Sequence, residues 1–361
     1  MDEAALHDLL SGRRRDVAAR LLRGALGMAS GGYAAIMALR NLAYDRRWLT
    51  IHRAAVPVIS LGNITTGGTG KTPTAAWLAN WLLEQGLRPG LLSRGYRAIE
   101  ETKTPLGNPV GNDEKLVLDR LCPTVPHLQQ RDRVSSARRL VTESGCNVLI
   151  LDDGFQHRRL HRDLDLVLVD ALQPWGFGRV LPRGLLREPL RGLRRAGLVV
   201  ITRADQCLES DRQSLRNELR TLGTDECVEI AFRPQWLAGL DGTRQSLDSL
   251  TDVNAVAFCG IGNPDGFRRT LSALHVSADL RVFPDHHHYS QLDLRELADT
   301  ARKNSAEIVL TTLKDLVKIS RDAWAGPPLF AIEIGVEFLH GKELLIARLQ
   351  SIVDQCLTLK G

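Results

Sequence analysis

The stretch of residues 56–74, VPVISLGNITTGGTGKTPT, constrains the fold of this 361-residue chain more than any other. A β-branched, apolar run from Val56 to Leu61 predicts a buried strand, and an apolar-periodic helix follows the glycine cluster. Glycines let backbone N–H groups approach phosphate oxygens, and a helix N-terminus adds positive potential there. The stretch therefore predicts a strand, a phosphate-binding loop and a helix.

In such a loop, Lys71 would reach the β- and γ-phosphates of a nucleotide, and the Thr72 hydroxyl would bind Mg²⁺. The residues predicted to surround the phosphates are Thr66, Gly67, Gly68, Thr69, Gly70, Lys71 and Thr72. Thr65 stands where the pattern G-x-x-x-x-G-K-[ST] has glycine, and Thr66 stands where a variant loop has a second lysine. A plain glycine-rich turn is the alternative, but the flanking strand and helix favour nucleotide binding.

Length and composition predict a folded chain with room for two domains and a substantial core. The net charge of +5 is modest, so nucleic acid binding is not expected. Arginines crowd at residues 12–23, 40–53 and 183–195, which suits an anionic ligand or a membrane surface as well as a solvated face. The six cysteines form no C-x-x-C pair, and a reducing cytoplasmic setting fits.

Residues 1–48 predict one or two helices of unusual character. Sixteen uncharged residues from Gly24 to Leu39 lie between arginine clusters and include four glycines. That length falls short of a transmembrane span. A secretory signal is not expected either, because no small-residue cleavage site precedes the strand at 56. Apolar faces bracketed by arginines predict helices in the membrane interface, with packing on the domain core as the alternative.

The rest of the chain predicts two α/β units. Apolar strands at 146–151, 164–169 and 197–202 alternate with helical patterns, which is typical of a mostly parallel sheet with helices on both faces, as in P-loop NTPases. The composition shifts near 228–245. We therefore expect a phosphate-loop domain over residues 49–230 and a smaller C-terminal α/β domain over residues 231–361. Residues 171–196 predict a long functional loop.

Asp152 and Asp153 end the strand at 146–151, where phosphoryl-transfer enzymes place a Mg²⁺ carboxylate opposite the loop threonine. A cap for the next helix is the alternative. Gln156 and His157 follow at the carboxyl edge of the sheet, where ligands of open α/β sheets bind. They are candidates to contact substrate or to order the aspartates.

Three further motifs have two interpretations each. Asp113 begins a helix, where an acid is favourable in any case, or it is a general base for a substrate hydroxyl; spacing alone favours the first. Residues 285–288, DHHH, are an exposed turn or handle protons, and again the first is favoured without other information. Residues 202–205, TRAD, resemble the guanine-reading element of GTPases and support a second hypothesis, a GTPase-type metallochaperone or switch protein.

Six motifs occur in order, and together they resemble the tetraacyldisaccharide 4'-kinase family over about residues 20–350. They are GNITTGGTGKTP (62–73), SRGY (93–96), DE (113–114), DDGFQH (152–157), LPRGLLREP (181–189) and FPDH (283–286). The resemblance implies transfer of the γ-phosphate of ATP, with Mg²⁺, to the 4'-hydroxyl of a tetraacyl glucosamine disaccharide 1-phosphate, giving lipid IVA in lipid A biosynthesis. It also implies a peripheral enzyme on the cytoplasmic face of the inner membrane, with a lipid substrate and no obligate protein partner.

The same resemblance implies roles for single residues. Asp113 is similar to the general base of the family, and His286 to the residue that tunes it across an interdomain cleft; this reverses both interpretations from spacing. Lys71 and Asp153 belong to the catalytic set, and Asp152 and Asp153 to the Mg²⁺ and nucleotide carboxylates. The positions similar to substrate or phosphate contacts are Arg94, Tyr96, Arg133, Gln156, His157 and Arg187.

The chain departs from the family pattern in three places. Asn112 and Lys115 flank the acid pair where the family commonly has glycine-Asp-Glu-proline. The family's Thr-Glu-Lys-Asp is TLKD at residues 312–315, which removes a carboxylate. The loop at 183–187 has arginine and leucine where small residues are common, so we expect the glycan pocket to differ in detail.

Overall fold

The computed structural model describes residues 3–94 and 112–358. Tyr96, a predicted substrate contact, lies outside the described residues. Twelve strands of the described part form one continuous sheet in the order β10-β9-β11-β12-β7-β6-β5-β1-β4-β2-β3, with β8 paired to β7. The strands are β1 (Val58–Asn63), β2 (Pro89–Ser93), β3 (His127–Gln129), β4 (Val148–Asp152), β5 (Leu164–Asp170), β6 (Leu198–Thr202), β7 (Cys227–Gly239), β8 (Arg244–Gln245), β9 (Ala255–Cys259), β10 (Ala278–Val282), β11 (Ile308–Thr312) and β12 (Leu329–His340).

Helices cover both faces of this sheet. Within the described ranges they are α1 (Glu3–Ser11), α2 (Val17–Asp45), α3 (Lys71–Glu84), α4 (Asp113–Leu121), α5 (Arg133–Thr142), α6 (Glu209–Thr221), α7 (Pro264–Ala273), α8 (Gln291–Lys303), α9 (Leu313–Leu316) and α10 (Lys342–Thr358). Alternate residues of β5 show the layering, because Leu166 and Leu168 join the core under α3 while Val167 and Val169 join the core under α6. The predicted fold class is confirmed.

The sheet consists of two parallel halves joined by an antiparallel pair. The strands β1 to β6 and the start of β7 run parallel, and β9 to β12 form a second parallel set. Strands β7 and β12 pair antiparallel from Phe330–Gly239 to His340–Glu229. We call this pair the ribbon, the strands before it the N-terminal half and the strands β9 to β11 with their helices the C-terminal half.

The ribbon crosses the place where we predicted a domain boundary. Strand β7 runs through residues 230–231 without a break, so the predicted linker near 228–245 is mostly a strand. The division into two domains stays a prediction. Strand β10 and helix α6 are additions to the predicted elements. The five residues of β10, Ala278–Val282, alternate between apolar and charged side chains and contain no apolar run.

The long helix α2 packs on the core along one side only. Its buried residues Ala19, Ser30 and Tyr44 lie on one face, and the Ser30 hydroxyl donates to the Val180 carbonyl at 2.7 Å. The opposite face exposes large apolar side chains, namely Val17, Leu21, Leu22, Met28, Ile36, Leu39 and Leu42. No helix in the described ranges is long and apolar enough to cross a membrane.

The predicted functional loop at 171–196 packs against the phosphate loop. The Thr66 N–H donates to the Leu185 carbonyl and the Arg187 N–H to the Ile64 carbonyl, each at 2.7 Å. Two 3₁₀ turns, Gly176–Gly178 and Leu190–Arg195, give it local structure. The loop therefore forms one wall beside the phosphate loop.

Candidate active site

The phosphate loop lies between β1 and α3, as the sequence predicts. Gly70 immediately precedes α3 and has a φ of +83°, in the left-handed region that favours glycine. A Cβ at this position would also collide with the ring of Phe232 on β7. The turn directs the N-terminus of α3, with its unpaired N–H groups, into a cleft.

The cleft has a volume of about 1420 Å³ and receives residues from both halves of the sheet. The predicted site residues that line it are Thr66, Gly67, Gly68, Thr69, Gly70, Lys71, Thr72, Arg94, Arg133, Asp152, Asp153, Gln156, His157, Arg187 and His286. Asp113 is buried directly behind His286. The structure thus brings together every predicted site residue that it describes.

Asp153 lies between two cations at the end of β4. Arg187 donates to both of its carboxylate oxygens, at 2.7 and 2.8 Å, and Lys71 Nζ lies 3.6 Å from Oδ1. Burial alone would raise the pKa of Asp153, but Lys71, Arg187 and Arg133 hold it below its ordinary value. Its φ of +51° is left-handed, a strained backbone that positions the carboxylate beside the loop.

Asp152 has the opposite character. It is buried, and burial raises its pKa to about 7, opposed by Lys71 and reinforced by the charges of Glu114 and Asp153. The Asp153 N–H donates to its Oδ1 at 2.9 Å. A buried carboxylate in this condition gains most from a nearby cation.

The carboxylates and the Thr72 hydroxyl fit Mg²⁺, which prefers oxygen ligands and keeps several from water and phosphate. No group of three or more His, Cys, Asp or Glu in residues 3–94 and 112–358 could hold a metal ion by itself. A Mg²⁺ at Asp152 therefore depends on nucleotide phosphates and water for the rest of its ligands.

Asp113 lies behind His286, which lines the cleft, and is held from the C-terminal half. It is the first residue of α4, whose N-cap Asn112 accepts from the Lys115 N–H at 3.0 Å. His286 Nδ1 and Lys318 Nζ each lie 2.9 Å from Asp113 Oδ2. Burial alone would raise the pKa of Asp113, but Lys318 and His286 hold it below its ordinary value. Local patterns interpreted Asp113 as an acid in a first helical turn and His286 as part of an exposed turn. Both descriptions fit the positions, but neither predicts the contact between the two residues.

The predicted substrate residues differ in how free their polar atoms are. Arg133 is buried, and its Nε and Nη2 have no hydrogen-bond partner among the described residues. Gln156 Nε2 donates to the Asn63 carbonyl and to Glu188 Oε1, each at 3.0 Å, so its amide already supports the loop. Burial, followed by the charge of Arg133, lowers the pKa of His157 to about 4, so that ring is neutral at neutral pH.

In the TRAD motif, the side chains of Arg203 and Asp205 are bonded to other residues of the protein. Arg203 donates to both oxygens of Asp170 and to the Gly68 carbonyl. Asp205, which would read guanine in a GTPase, is paired with Arg233 at 2.9 Å. The motif links β5, the phosphate loop and the ribbon.

Three residues with clear roles in this cleft escaped prediction. Lys318 follows Asp315 by three positions, and only the tertiary structure brings it to Asp113. Glu188 is fully buried and accepts from Asn41, Gln156 and Arg195. Phe232 covers Gly70 from β7. A buried acid in the arginine-rich 181–189 motif was a usable signal for Glu188; the other two had none.

A nucleoside triphosphate on this loop would present its terminal phosphate to a cleft lined by His286, which contacts the carboxylate of Asp113. The fold and the cleft define a phosphate-loop kinase.

Comparison with known proteins narrows the class to one family. The family model described as tetraacyldisaccharide-1-P 4'-kinase matches residues 22–354. The tetraacyldisaccharide 4'-kinase of Syntrophus aciditrophicus is 39% identical over 78% of this chain and 80% of its own length. That of Anaeromyxobacter dehalogenans is 38% identical over 89% of this chain and 88% of its own. A crystal structure of LpxK from Aquifex aeolicus in complex with ATP has a TM-score of 0.76 and 30% identity, covering 92% of this chain and 99% of that one.

The chain belongs to the tetraacyldisaccharide 4'-kinase family. The predicted family, the kinase activity on a lipid A precursor and the use of ATP with Mg²⁺ are confirmed. The alternative, a GTPase-type metallochaperone or switch protein, is not favoured.

Proposed function

We propose that this chain phosphorylates the 4'-hydroxyl of a tetraacyl glucosamine disaccharide 1-phosphate, giving lipid IVA, with Asp113 as the general base. The observation that carries the residue assignment is the 2.9 Å contact between His286 Nδ1 and Asp113 Oδ2, across 173 positions of sequence, in the cleft that also contains the phosphate loop. Asp113 accepts the proton of the 4'-hydroxyl as that oxygen attacks the γ-phosphorus. His286 orients the carboxylate.

The phosphate loop binds and neutralises the triphosphate. Backbone N–H groups from Thr66 to Thr72 surround the phosphates, and Lys71 stabilises the charge on the transferred group. Arg187 now pairs with Asp153 and is close enough to Lys71 to share that task. Because a phosphoryl transition state needs charge stabilisation rather than covalent help, this cationic wall is the main contribution of the chain.

Asp152, Asp153 and Thr72 would hold Mg²⁺. When bound, Mg²⁺ supplies positive charge that neutralises the phosphate oxygens and orients them. The raised pKa of Asp152, about 7, supports this assignment because a cation would favour the ionised form.

The remaining predicted residues are assigned to the acceptor. Arg133 supports this best, since it has two nitrogen atoms without a described partner and lines the cleft. Arg94 and His157 line the same space. Tyr96 is assigned from the SRGY motif alone, and Gln156 from its position, with its amide holding the wall in shape.

Helices α1 and α2 are the proposed membrane contact, on the cytoplasmic face of the inner membrane. The exposed apolar face of α2 lies opposite its buried face, and arginines 13–15, 20 and 23 accompany its start. An amphipathic helix of this kind lies in the interface and brings the cleft to acyl chains that stay in the lipid. The two α/β domains, divided in the ribbon, would close on the substrate.

The defining experiment is transfer of phosphate from labelled ATP to purified tetraacyldisaccharide 1-phosphate with Mg²⁺. We expect labelled lipid IVA with wild-type protein and none without Mg²⁺. Rapid GTP hydrolysis with no labelled lipid would refute the proposed function.

The membrane assignment has a separate test in vesicle flotation with phosphatidylethanolamine–phosphatidylglycerol vesicles. We expect the triple variant Leu21→Gln/Met28→Gln/Ile36→Gln to lose vesicle binding, because it removes the apolar face without touching the buried one. Exposed apolar residues elsewhere provide the matched control, Leu208→Gln/Val282→Gln/Leu292→Gln. Equal binding by both triple variants and wild type would refute the assignment.

A further inference from the structure

A buried lysine from the C-terminal half reaches the proposed base. Lys318 lies two residues beyond α9, and its side chain is 6% exposed. Its Nζ lies 2.9 Å from Asp113 Oδ2, the same oxygen that His286 Nδ1 contacts at 2.9 Å. A hydrogen bond from His286 and an ion pair from Lys318 therefore converge on one oxygen of Asp113, and no described residue is bonded to Oδ1.

Lys318 is itself fixed from behind. Asp315 is fully buried, and its Oδ1 lies 3.5 Å from Lys318 Nζ. Its Oδ2 accepts from the Gly260 N–H at 3.1 Å and from the Thr312 hydroxyl at 2.7 Å. Gly260 and Thr312 thus hold the Asp315 carboxylate in place, and its Oδ1, which has no hydrogen-bond partner among the described residues, faces the lysine as an ion pair.

We propose that Lys318 is a positioning residue for phosphoryl transfer: it keeps Asp113 ionised and occupies Oδ2, so that Oδ1 receives the proton of the acceptor hydroxyl. The inference rests on the proposed function, since it deepens the assignment of Asp113 as base. It also gives the two proposed partners of Asp113 different tasks.

The different surroundings of the two partners support this division. The His286 side chain is 63% exposed, so solvent screens its charge, whereas Lys318 is in the protein interior. A histidine loses its charge in the neutral range, and a lysine ordinarily carries its charge throughout that range. The charge of Lys318 therefore acts on Asp113 with less screening than that of His286.

Carboxylates near Asp113 oppose Lys318, while two further lysines, Lys115 on α4 and Lys314 on α9, line the same cleft. Glu114 follows it on α4, Asp315 lies behind Lys318, and Asp285 Oδ2 is 3.7 Å from His286 Nε2. Each of these would raise the pKa of Asp113. Removing Lys318 therefore takes away the buried cation of Asp113 and leaves the exposed His286 as its remaining side-chain partner among the described residues.

The first test is the pH dependence of transfer from labelled ATP to tetraacyldisaccharide 1-phosphate by full-length Lys318→Met, a variant of similar side-chain length. Loss of the cation raises the pKa of Asp113, so the acidic limb of kcat/KM for the acceptor should move to higher pH. A displacement of one pH unit would give about a tenfold greater loss at pH values below the pKa of Asp113 than at pH 8.5. The surface variant Lys303→Met is the control and should follow wild type. A Lys318→Met curve with the shape of wild type, merely scaled down, would overturn the proposal.

A double-mutant cycle separates positioning from a structural effect. In an Asp113→Asn background, Lys318→Met should cause no further loss of kcat, because the residue acts through Asp113. Additive losses would contradict the inference. Titration of the Asp113 carboxyl by ¹³C NMR, assigned with Asp113→Asn, gives a readout without the acceptor. A higher pKa in Lys318→Met supports the inference and an unchanged pKa overturns it, even if wild type fails to phosphorylate the lipid and the proposed function is lost.

Discussion

The cleft contains two charge clusters that are built in different ways. The nucleotide cluster, Lys71, Asp152, Asp153 and Arg187, comes from the N-terminal half, where β1 and β4 are neighbouring parallel strands. The cross-cleft cluster, Asp113, His286 and Lys318, combines one residue of the N-terminal half with two of the C-terminal half. The first is complete once one half of the sheet has formed. The second exists only when both halves are aligned.

Their acids also differ in protonation. Burial raises the pKa of Asp152 to about 7, whereas Lys318 and His286 hold that of Asp113 below its ordinary value against the effect of burial. A bound cation would therefore stabilise the ionised form of Asp152, whereas side chains of the protein already stabilise the ionised form of Asp113. These charges suit the proposed roles, in which the nucleotide cluster binds a metal and the cross-cleft cluster supplies a base without one.

The largest effect should come from the nucleotide cluster. Lys71→Met removes the positive charge at the transferred phosphoryl group, and we expect kcat for lipid phosphorylation to fall by about 10³–10⁵-fold, the range for an arginine that stabilises a transferred phosphoryl group. Single-turnover transfer from labelled ATP measures it. A loss below tenfold would mean that Arg187 carries the task instead.

Asp113→Asn tests the cross-cleft cluster with the next largest effect. Loss of a general base typically lowers kcat by about 10²–10⁴-fold, and the dissociation constant for ATP should change little because the two clusters share no residue. Transfer assays and equilibrium ATP binding measure the two quantities. Near-normal turnover would remove Asp113 from the base assignment.

Asp152→Asn tests the contrast in protonation through stability. In the metal-free wild type, Asp152 has a folded pKa of about 7 against an ordinary 3.8, so the native state holds a proton that the unfolded state lacks. Its contribution to the free energy of unfolding therefore falls by about 1.4 kcal/mol per pH unit as the pH rises from about 4 to 7. We expect Asp152→Asn to exceed wild type in stability at pH 8, with the gap closing towards pH 5.

Urea unfolding at the two pH values measures that gap. Asp153→Asn is the matched control. Because the pKa of Asp153 is lowered in the folded state, its contribution to the free energy of unfolding is lost as the pH falls. Its loss should destabilise the protein at pH 8. The same change in the free energy of unfolding for both variants at both pH values would contradict the proposed difference in protonation between Asp152 and Asp153.

The smallest effect concerns Gly70, where the ribbon touches the phosphate loop. Gly70→Ala places a Cβ in a left-handed conformation against the Phe232 ring, and we expect the free energy of unfolding to fall by about 1–2 kcal/mol or more. Gly68→Ala has nothing within 4 Å of its Cβ and should change it by about 0.5 kcal/mol or less. Chemical denaturation without nucleotide compares the two. Equal values would mean that Phe232 moves aside freely.

The two clusters also differ in what the sequence could reveal. Asp152 and Asp153 follow an apolar strand, and Lys71 follows a glycine cluster, so local patterns predicted the nucleotide cluster. Asp113 and His286 lie at positions that local patterns interpret as a helix start and a turn, and only the ordered family motifs predicted their contact. Lys318 was missed because its contact with Asp113 depends on the packing of α9 against α4. Alignment of the halves is a tertiary property, which no local pattern encodes.

The alignment of the two halves depends on which residues of β7 and β12 pair with each other in the ribbon. Its β7–β12 register has irregularities at Glu333–Ile334 and Phe338–His340, which fix which residues face each other. Sliding one strand by a single residue would displace the C-terminal half by about 3.3 Å, more than enough to break a hydrogen bond. The register of the ribbon therefore sets the distance between residues of the two halves. An insertion or deletion in one of its strands would therefore need a compensating change in the other.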